Sequence, residues 1–204
     1  MSRKTNRRRQ NRQQAPPQHR PDTREVAVAQ VTDKYSDYPS NGLTPVKLAE
    51  IFKEADAGDI LRQAELFEEM EEKDPHLFSQ LQTRKNAVTG LDFEIIPFDS
   101  DDERDKEIAE FVEAQINGIE GLEDIMLDLL DAIGKGFAVS EIMWGYEGGR
   151  VVVNDIRSRY QKRFFWDSED AFKVRTDEAP EGMELPRNKF ILHRYKARSG
   201  HPSR

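Results

Sequence analysis

The densest group of side chains that could do chemistry is a run of carboxylates in the first half of the chain. Its members are Glu65, Glu68, Glu69, Glu71, Glu72 and Asp74. Carboxylates three or four residues apart share one face of a helix, so such a run could bind a cation. A cation site also needs a glycine turn or histidine support that makes the oxygens converge, and this run lacks both. We interpret it as a solvated or intersubunit helix face.

A second acidic run is similar to the start of a calcium-binding loop. It contains Asp99, Asp101, Asp102, Glu103 and Asp105. A calcium loop of the EF-hand type needs glycine at its sixth position and glutamate at its twelfth. Counted from Asp99, these positions hold Arg104 and Glu110, so the required glycine is missing. The run is better explained as the acidic opening of a helix, where negative charge favours the helix dipole.

The other possible catalytic groups form no recognisable site. The segment Gly134-Lys135-Gly136 is too short for a phosphate-binding loop, and it is typical of a helix end. The four histidines are not spaced as metal ligands; they are His19, His76, His193 and His201. The chain has no cysteine and no serine in a G-x-S-x-G elbow. The sequence therefore predicts a protein that is not an enzyme and that uses no metal and no cofactor.

A basic and aromatic stretch extends from residue 157 to residue 166. Its basic members are Arg157, Arg159, Lys162 and Arg163, and its aromatic members are Tyr160, Phe164, Phe165 and Trp166. Such a stretch could stack the bases of single-stranded nucleic acid. Alternatively, the aromatic rings fill a core while the basic groups face water or acids. The second explanation is favoured, because a chain with only 36% hydrophobic residues needs these rings for its core.

The N-terminus is strongly basic although the chain as a whole is acidic. Residues 1–20 carry seven basic residues and no acidic one, so a net charge of −8 leaves −15 on the remainder. Residues 1–24 are almost free of apolar side chains, which predicts a disordered basic tail. Such a tail can neutralise nucleic-acid phosphates. The candidate nucleic-acid contacts are Arg3, Lys4, Arg7, Arg8, Arg9 and Arg12.

Residues 25–42 are a transitional segment, and clear helix signals follow them. Thr44-Pro45 and Asp74-Pro75 each combine a capping side chain with a proline in the first turn. A helix between these two would bury a stripe of Ala64, Phe67 and Met70. Leu91, Phe93 and Ile95 then alternate with polar residues, which predicts a strand.

After a further helix that ends near Gly118, the strongest helical stripe of the chain predicts a core helix. The predicted core residues there are Leu129, Leu130 and Ile133. Two apolar runs then flank Glu147-Gly148-Gly149, which predicts a β-hairpin. Three more strands are predicted at residues 163–166, 172–175 and 189–195. The fold class is therefore α+β, with a helical N-terminal half followed by a β-rich half. No apolar run is long enough to span a membrane.

Three blocks of the sequence resemble, in order and spacing, the portal proteins of Mu-like tailed phages. The first is GLTP…EADAGD…RQAELFEEMEEKDPHLF at the start of residues 42–97. The second is GKGFAVSEIMW and the third is HRYKARSGHPSR. The resemblance covers residues 40–204 and implies that residues 43–204 are an α+β portal body from the wing region. It also implies that the chain is the N-terminal part of a longer protein, truncated at its C-terminus.

The resemblance implies a structural role in the virion. Portal subunits form a ring, typically of twelve copies, at one capsid vertex. Double-stranded DNA passes through the ring during packaging and ejection. The expected partners are other copies of the chain, capsid and scaffold proteins, terminase and the tail connector, without a membrane. The expected locations are the capsid vertex and, during head assembly, the host cytoplasm. The alternative is a nucleic-acid-binding scaffold or regulatory protein that uses the arginine-rich tail.

Overall fold

The computed structural model describes residues 20–28 and 38–196, and within them helices precede strands. The helices are α1 (Pro45–Asp56), α2 (Leu61–Lys73), α3 (Pro75–Thr89), α4 (Glu103–Asn117), α5 (Leu122–Leu129) and α6 (Ala132–Lys135). The strands are β1 (Phe137–Glu147), β2 (Arg150–Arg159), β3 (Phe164–Trp166), β4 (Phe172–Val174), β5 (Met183–Glu184) and β6 (Phe190–Arg194). This order confirms the α+β class. Within the described ranges no helix has both the length and the apolar character that crossing a bilayer requires.

The predicted starts of α1 and α3 are confirmed by their caps. Thr44 Oγ1 accepts a hydrogen bond from the Lys47 backbone N–H at 3.2 Å. Asp74 Oδ1 accepts from the backbone N–H groups of His76 and Leu77 at 2.9 and 3.1 Å. Each cap satisfies donors that the first helical turn leaves unpaired. Short local signals therefore place both helices correctly.

The core prediction for the helix after Gly121 is wrong in its residues. The chain leaves α5 after Leu129 and starts the short α6 only at Ala132. Leu129, Leu130 and Ile133 are consequently half-buried, and the buried residues are Ile125 and Ala132. The prediction requires one continuous helix through residue 133. The break between α5 and α6 changes the direction of the side chains that follow Leu129.

Two antiparallel three-stranded sheets make up the second half. The first has the strand order β2-β1-β6 and the second the order β3-β4-β5. The predicted hairpin is confirmed, and Gly148 and Gly149 have φ values of 55° and 80° at its turn. Positive φ at both central residues is the geometry of the type I′ turn, one of the common two-residue hairpin turns. The three predicted strands correspond to β3, β4 and β6, whereas the two-residue β5 was not foreseen.

The predicted strand at Leu91, Phe93 and Ile95 is not part of either sheet. Residues 92–97 run without helix, turn or bend, and no hydrogen bond joins their backbone to other described residues. The alternation of apolar and polar side chains is present, but no neighbouring strand of the described chain lies beside it. A strand is defined by its partner, so this prediction is wrong within the single chain.

The core joins the two sheets through aromatic rings. Phe137 and Trp166 meet edge to face with centroids 5.1 Å apart, and Phe164 stacks on Phe172 at 5.3 Å. The turn between α1 and α2 is joined to this cluster, because the Gly58 carbonyl oxygen accepts a hydrogen bond from the Trp166 backbone N–H at 3.1 Å. Gly58 has a φ of +103°, and a Cβ there would lie 2.2 Å from Trp166 O. These contacts confirm that Phe164 and Trp166 of the basic and aromatic stretch fill a core, whereas Tyr160 is exposed.

Asp167 holds the turn between β3 and β4 through its carboxylate, so the stability of the fold is expected to depend on pH. Its carboxylate accepts from Lys173 Nζ at 2.7 Å and from the N–H groups of Glu169 and Ala171 at 2.9 Å. These contacts, that of Lys173 foremost, lower the pKa of Asp167 from 3.8 to about 2. A lowered carboxyl pKa stabilises the fold above the unfolded value, and the stabilisation is lost as pH falls through the folded value.

We therefore expect Asp167→Asn to lower the midpoint of thermal unfolding at pH 7. The difference from the unaltered chain should shrink as pH falls from about 4 towards about 2, because protonation removes the same charge. Melting curves followed by circular dichroism at pH 7, 4 and 3 measure this. Glu169→Gln removes an exposed charge from the same turn and serves as the control. A difference that stays constant with pH would contradict the role of the charge.

Candidate assembly surface

The acidic run on α2 is used inside the subunit, which corrects its interpretation as a solvated or intersubunit face. Glu69 is only 2% exposed, and its carboxylate accepts from the Ser40 N–H at 2.8 Å and from Lys73 Nζ at 2.6 Å. Glu65 pairs with Lys162 at 3.2 Å. Charged residues are rarely buried unless they are paired, and both of these are. The predicted stripe of α2 is corrected as well, since Leu66 is buried and Met70 is exposed.

Two lysines neutralise the acidic side chains between α2, α3 and α6. Lys85 Nζ pairs with Glu71 at 3.2 Å and with Asp131, and Lys135 Nζ lies 3.1 Å from Asp131. Burial by itself lowers the pKa of Lys135, but Asp131 and Glu71 outweigh it and leave that pKa raised. No group of three or more acidic or histidine side chains in the described ranges could hold a metal ion. The ion pairs of this cluster therefore hold α2, α3 and α6 together.

Burial also acts on a carboxyl at the edge of this cluster. Desolvation raises the pKa of Glu68, although Lys135 and Lys162 oppose the shift. The same cause raises the pKa of Asp128, with Asp131 and Asp124 adding to it. A raised pKa marks a carboxylate whose charge is only partly compensated.

A second buried ionic cluster is centred on Glu141 of β1. The carboxylate accepts from Arg159 Nε at 3.0 Å and from the backbone N–H groups of Val26 and Ala27 at 2.5 and 3.0 Å. Lys189 Nζ lies 3.5 Å from it, an ion-pair distance without a hydrogen bond to the described residues. Glu141 and Lys189 are both 0% exposed. One carboxylate thus joins β1, β2, the residue before β6 and the segment 20–28.

This cluster was missed by the sequence interpretation, although one signal pointed to it. Glu141 interrupts the apolar run of a strand that is buried at its first five residues. An acid at such a position requires basic partners, because an unpaired buried charge is costly. The partners lie 18 to 115 residues away in the chain, so local patterns do not identify them.

Three of the four basic residues in the stretch from 157 to 166 also form ion pairs inside the subunit. Arg159 contacts Glu141 and Glu25, Lys162 contacts Glu65, and Arg157 contacts Glu25 and Asp155. Their charges are therefore compensated within the subunit. The interpretation of this stretch as core aromatics with basic groups facing acids is confirmed for Phe164, Trp166 and these three basic residues.

The candidate nucleic-acid contacts lie outside the described residues. They are Arg3, Lys4, Arg7, Arg8, Arg9 and Arg12. The description starts at Arg20, whose guanidinium carbon lies 5.8 Å from the centre of the Tyr146 ring. Their role in nucleic-acid binding therefore stays a prediction.

An apolar cleft of about 820 Å³ has no function inside the described part of the subunit. It lies between α4, α5, the face of the first sheet and the residues that follow α3. Phe111 and Ile116 contribute from α4, Met126 from α5, and Val153 and Ile191 from the sheet. Gln115 closes part of the sheet edge, because its Oε1 accepts from the Val153 N–H at 3.0 Å. The cleft is almost free of polar groups that would bind a small polar ligand.

Large apolar side chains continue from the cleft onto the surface along residues 91–98. Leu91 and Phe93 line the cleft, Ile96 is 72% exposed and Phe98 is 100% exposed. Phe78 and Val88 of α3 and Ile108 of α4 are exposed as well. Large exposed apolar side chains next to an open apolar cleft are typical of a site of association with other macromolecules. We name the cleft and residues 91–98 together the assembly surface.

Comparisons with known proteins identify what this chain is similar to. The family model described as the portal protein of Mu bacteriophage matches residues 64–204. The Mu-like prophage FluMu protein gp29 of Haemophilus influenzae is 36% identical over 173 residues, which are 83% of this chain and 33% of that protein. The portal protein of Escherichia phage Mu is 32% identical over 180 residues, which are 88% of this chain and 35% of that protein. The chain spans about a third of the length of these curated relatives.

Proposed function

The chain belongs to the family of Mu bacteriophage portal proteins, and on this premise we propose that it acts as a structural subunit of a portal ring. The match over residues 64–204 is the observation that carries the proposal. The ring would stand at one vertex of the capsid, with roughly twelve copies related by cyclic symmetry. Double-stranded DNA would pass through it during packaging and ejection.

The assembly surface supports this function. A ring requires that one patch of each subunit contacts a different patch of the next, so an isolated subunit exposes both. The cleft and the exposed Ile96 and Phe98 are such unsatisfied apolar surface. The portal role also needs no catalytic group, which agrees with the use of the acidic and basic clusters as contacts inside the subunit.

The charge of the chain supports the same assignment. Beyond residue 20 the chain carries −15, and an acidic body would not hold a DNA duplex tightly. Capsid and scaffold proteins, terminase and the tail connector are the proposed partners, with assembly in the host cytoplasm before the protein enters the virion. The chain would have no enzymatic activity of its own.

The alternative is a nucleic-acid-binding scaffold or regulatory protein. The specific observation that favours it is the run of seven basic residues in residues 1–20. Binding through such a run would be independent of sequence and would weaken steeply with salt. Such a protein would act on DNA in the infected cell and would not be a fixed component of the particle.

Counting the chain in purified virions distinguishes these functions. Trypsin releases residues 164–173, and an isotope-labelled copy of this peptide allows quantification against a major capsid peptide. We expect roughly twelve copies per particle, the number that the resemblance to portal rings implies for one closed ring at a single vertex. Particles should lose the peptide and their DNA together when the gene is deleted. Absence of the peptide from virions that contain DNA would contradict the portal function and favour the regulatory alternative.

A further inference from the structure

Strand β6 is a free edge of the first sheet. It pairs with β1 on one side, and the order β2-β1-β6 leaves its other side without a strand of the described chain. The Ile142 N–H donates to Lys189 O and the Tyr195 N–H donates to Gly136 O. Backbone groups of alternate residues face opposite sides of an antiparallel strand. The groups of Phe190 and Leu192 therefore face outwards.

Residues 92–96 have the complementary property. They contain no helix, turn or bend and form no backbone hydrogen bond with the described residues, and Pro97 follows them. The segment is five residues long, as is β6. It carries Asp92 and Glu94, whereas Arg194 and Lys196 stand at the end of β6. One chain thus contains an unpaired acidic segment and a free strand edge with basic residues.

We propose that residues 92–96 of one copy add to the free edge of β6 in a second copy, as an antiparallel fourth strand. This inference rests on the proposed function, because head-to-tail strand exchange between identical subunits supplies the heterologous contact of a ring. The occupant of the β6 edge is a second copy of the chain, since the charges of the two elements are opposite.

The sequence selects one register. Glu94 stands opposite Leu192 and Ile96 opposite Phe190, which brings their backbone donors and acceptors to the outward groups of β6. Pro97 then stands opposite Lys189, whose carbonyl already accepts from β1, so no donor is missing there. A shift by one residue would place the proline at a hydrogen-bonding position, which sheets disfavour.

The side chains agree with this register on both faces of the sheet. Ile95 stands opposite Ile191, which lines the apolar cleft on the α5 side. On the other face Ile96 stands beside Phe190, whose ring packs on Phe164 with the two ring centroids 6.0 Å apart. Asp92 stands opposite Arg194. Opposite charges and apolar pairs across strands both stabilise a sheet.

A disulfide cross-link between two separately prepared chains tests the register. The chain has no cysteine, so Glu94→Cys and Leu192→Cys each introduce the sole thiol. Their Cα atoms would be about 5.5 Å apart, within the range for a disulfide. We expect a tagged Glu94→Cys chain, oxidised with an untagged Leu192→Cys chain, to give the mixed dimer at least about fivefold above either homodimer.

Two matched pairs sharpen the test. Leu192→Cys is replaced by Arg187→Cys, an exposed position outside β6, which should reduce the mixed dimer to the background level. Adding Ile96→Pro to the Glu94→Cys chain removes one ladder N–H and should have the same effect. Ile96→Val keeps that N–H and should leave the yield unchanged. Residue 96 makes no backbone hydrogen bond with described residues, so neither change should disturb the subunit fold.

The outcomes that would overturn the proposal are distinct from those that test the portal function. A mixed dimer no more abundant than the Arg187→Cys control would overturn strand exchange. So would a disulfide within one chain when both cysteines are placed in the same diluted molecule. If the virions nevertheless contain roughly twelve copies, the ring function stands and only the strand exchange between copies fails.

Discussion

Replacing Glu141 with glutamine is expected to lower the free energy of unfolding by about 3–5 kcal/mol. The carboxylate is fully buried, and it compensates Arg159 and the fully buried Lys189 while it accepts two backbone N–H groups of the segment 20–28. Removing one partner of a buried ion pair leaves the other charge without compensation. The loss should exceed that of most single substitutions, which are centred near 1 kcal/mol.

Urea unfolding followed by tryptophan fluorescence measures this effect. Glu147→Gln is the matched control, because it makes the same change at the exposed end of the same strand. The double variant Glu141→Gln, Lys189→Met should recover part of the loss, since it removes the lysine charge that the single change leaves uncompensated and keeps an amide oxygen for the backbone N–H groups. A Glu141→Gln chain as stable as the Glu147→Gln chain would show that the cluster does not stabilise the fold.

Truncating Phe164 to alanine is expected to cost about 3–5 kcal/mol. Its ring is 0% exposed, and its centroid lies 5.3 Å from the ring centroid of Phe172 and 6.0 Å from that of Phe190. The cost combines the lost transfer of the ring out of water with the cavity that the ring leaves between the two sheets. Because Phe190 is in the first sheet and Phe172 in the second, the substitution should loosen their junction.

The same substitution at Phe98 is the matched control, because that ring is 100% exposed. Phe98→Ala should change the free energy of unfolding by less than about 0.5 kcal/mol. Urea midpoints of both variants, measured with the slope of the transition, give the comparison. Equal losses at the two positions would contradict the assignment of Phe164 to the core.

Helix-capping residues, prolines and turn glycines allowed most of the helices and strands to be predicted from the sequence. The pairs Thr44-Pro45 and Asp74-Pro75 placed two helix starts, because a capping oxygen and a proline act within one turn. Gly148 and Gly149 placed the hairpin, because few other residues adopt positive φ at both positions. These signals depend on neighbours in sequence, so a single sequence contains them in full.

Tertiary partners could not be predicted in the same way. The periodicity of Leu91, Phe93 and Ile95 showed which side chains share a face but not whether a strand lies alongside. The acids of α2 resembled a solvated face because their basic partners are distant, as with Lys162, which pairs with Glu65 across 97 residues. Periodicity in sequence describes one element and contains no information about the element that covers it.

The candidate site was predicted only in part. The sequence correctly predicted that the aromatic rings near Trp166 form a core, because so polar a chain has few other rings. It offered no sign of the cleft between α4 and α5, since an open cleft and a filled one have the same apolar stripes. The arginine-rich tail remains a prediction, because its residues lie outside those that the structure describes.

The position of Lys189 in the chain determines when the Glu141 cluster can be completed during synthesis. Ribosomes add about 5–20 residues per second, so Lys189 follows Arg159, the last residue of β2, after roughly 1.5–6 s. A hairpin such as β1–β2 forms within about 1–10 µs. Nascent chains therefore spend seconds with a formed hairpin whose central carboxylate has Arg159 but not yet its lysine. Throughout that interval the edge of β1 that β6 later covers stays open to other nascent chains on the same messenger RNA.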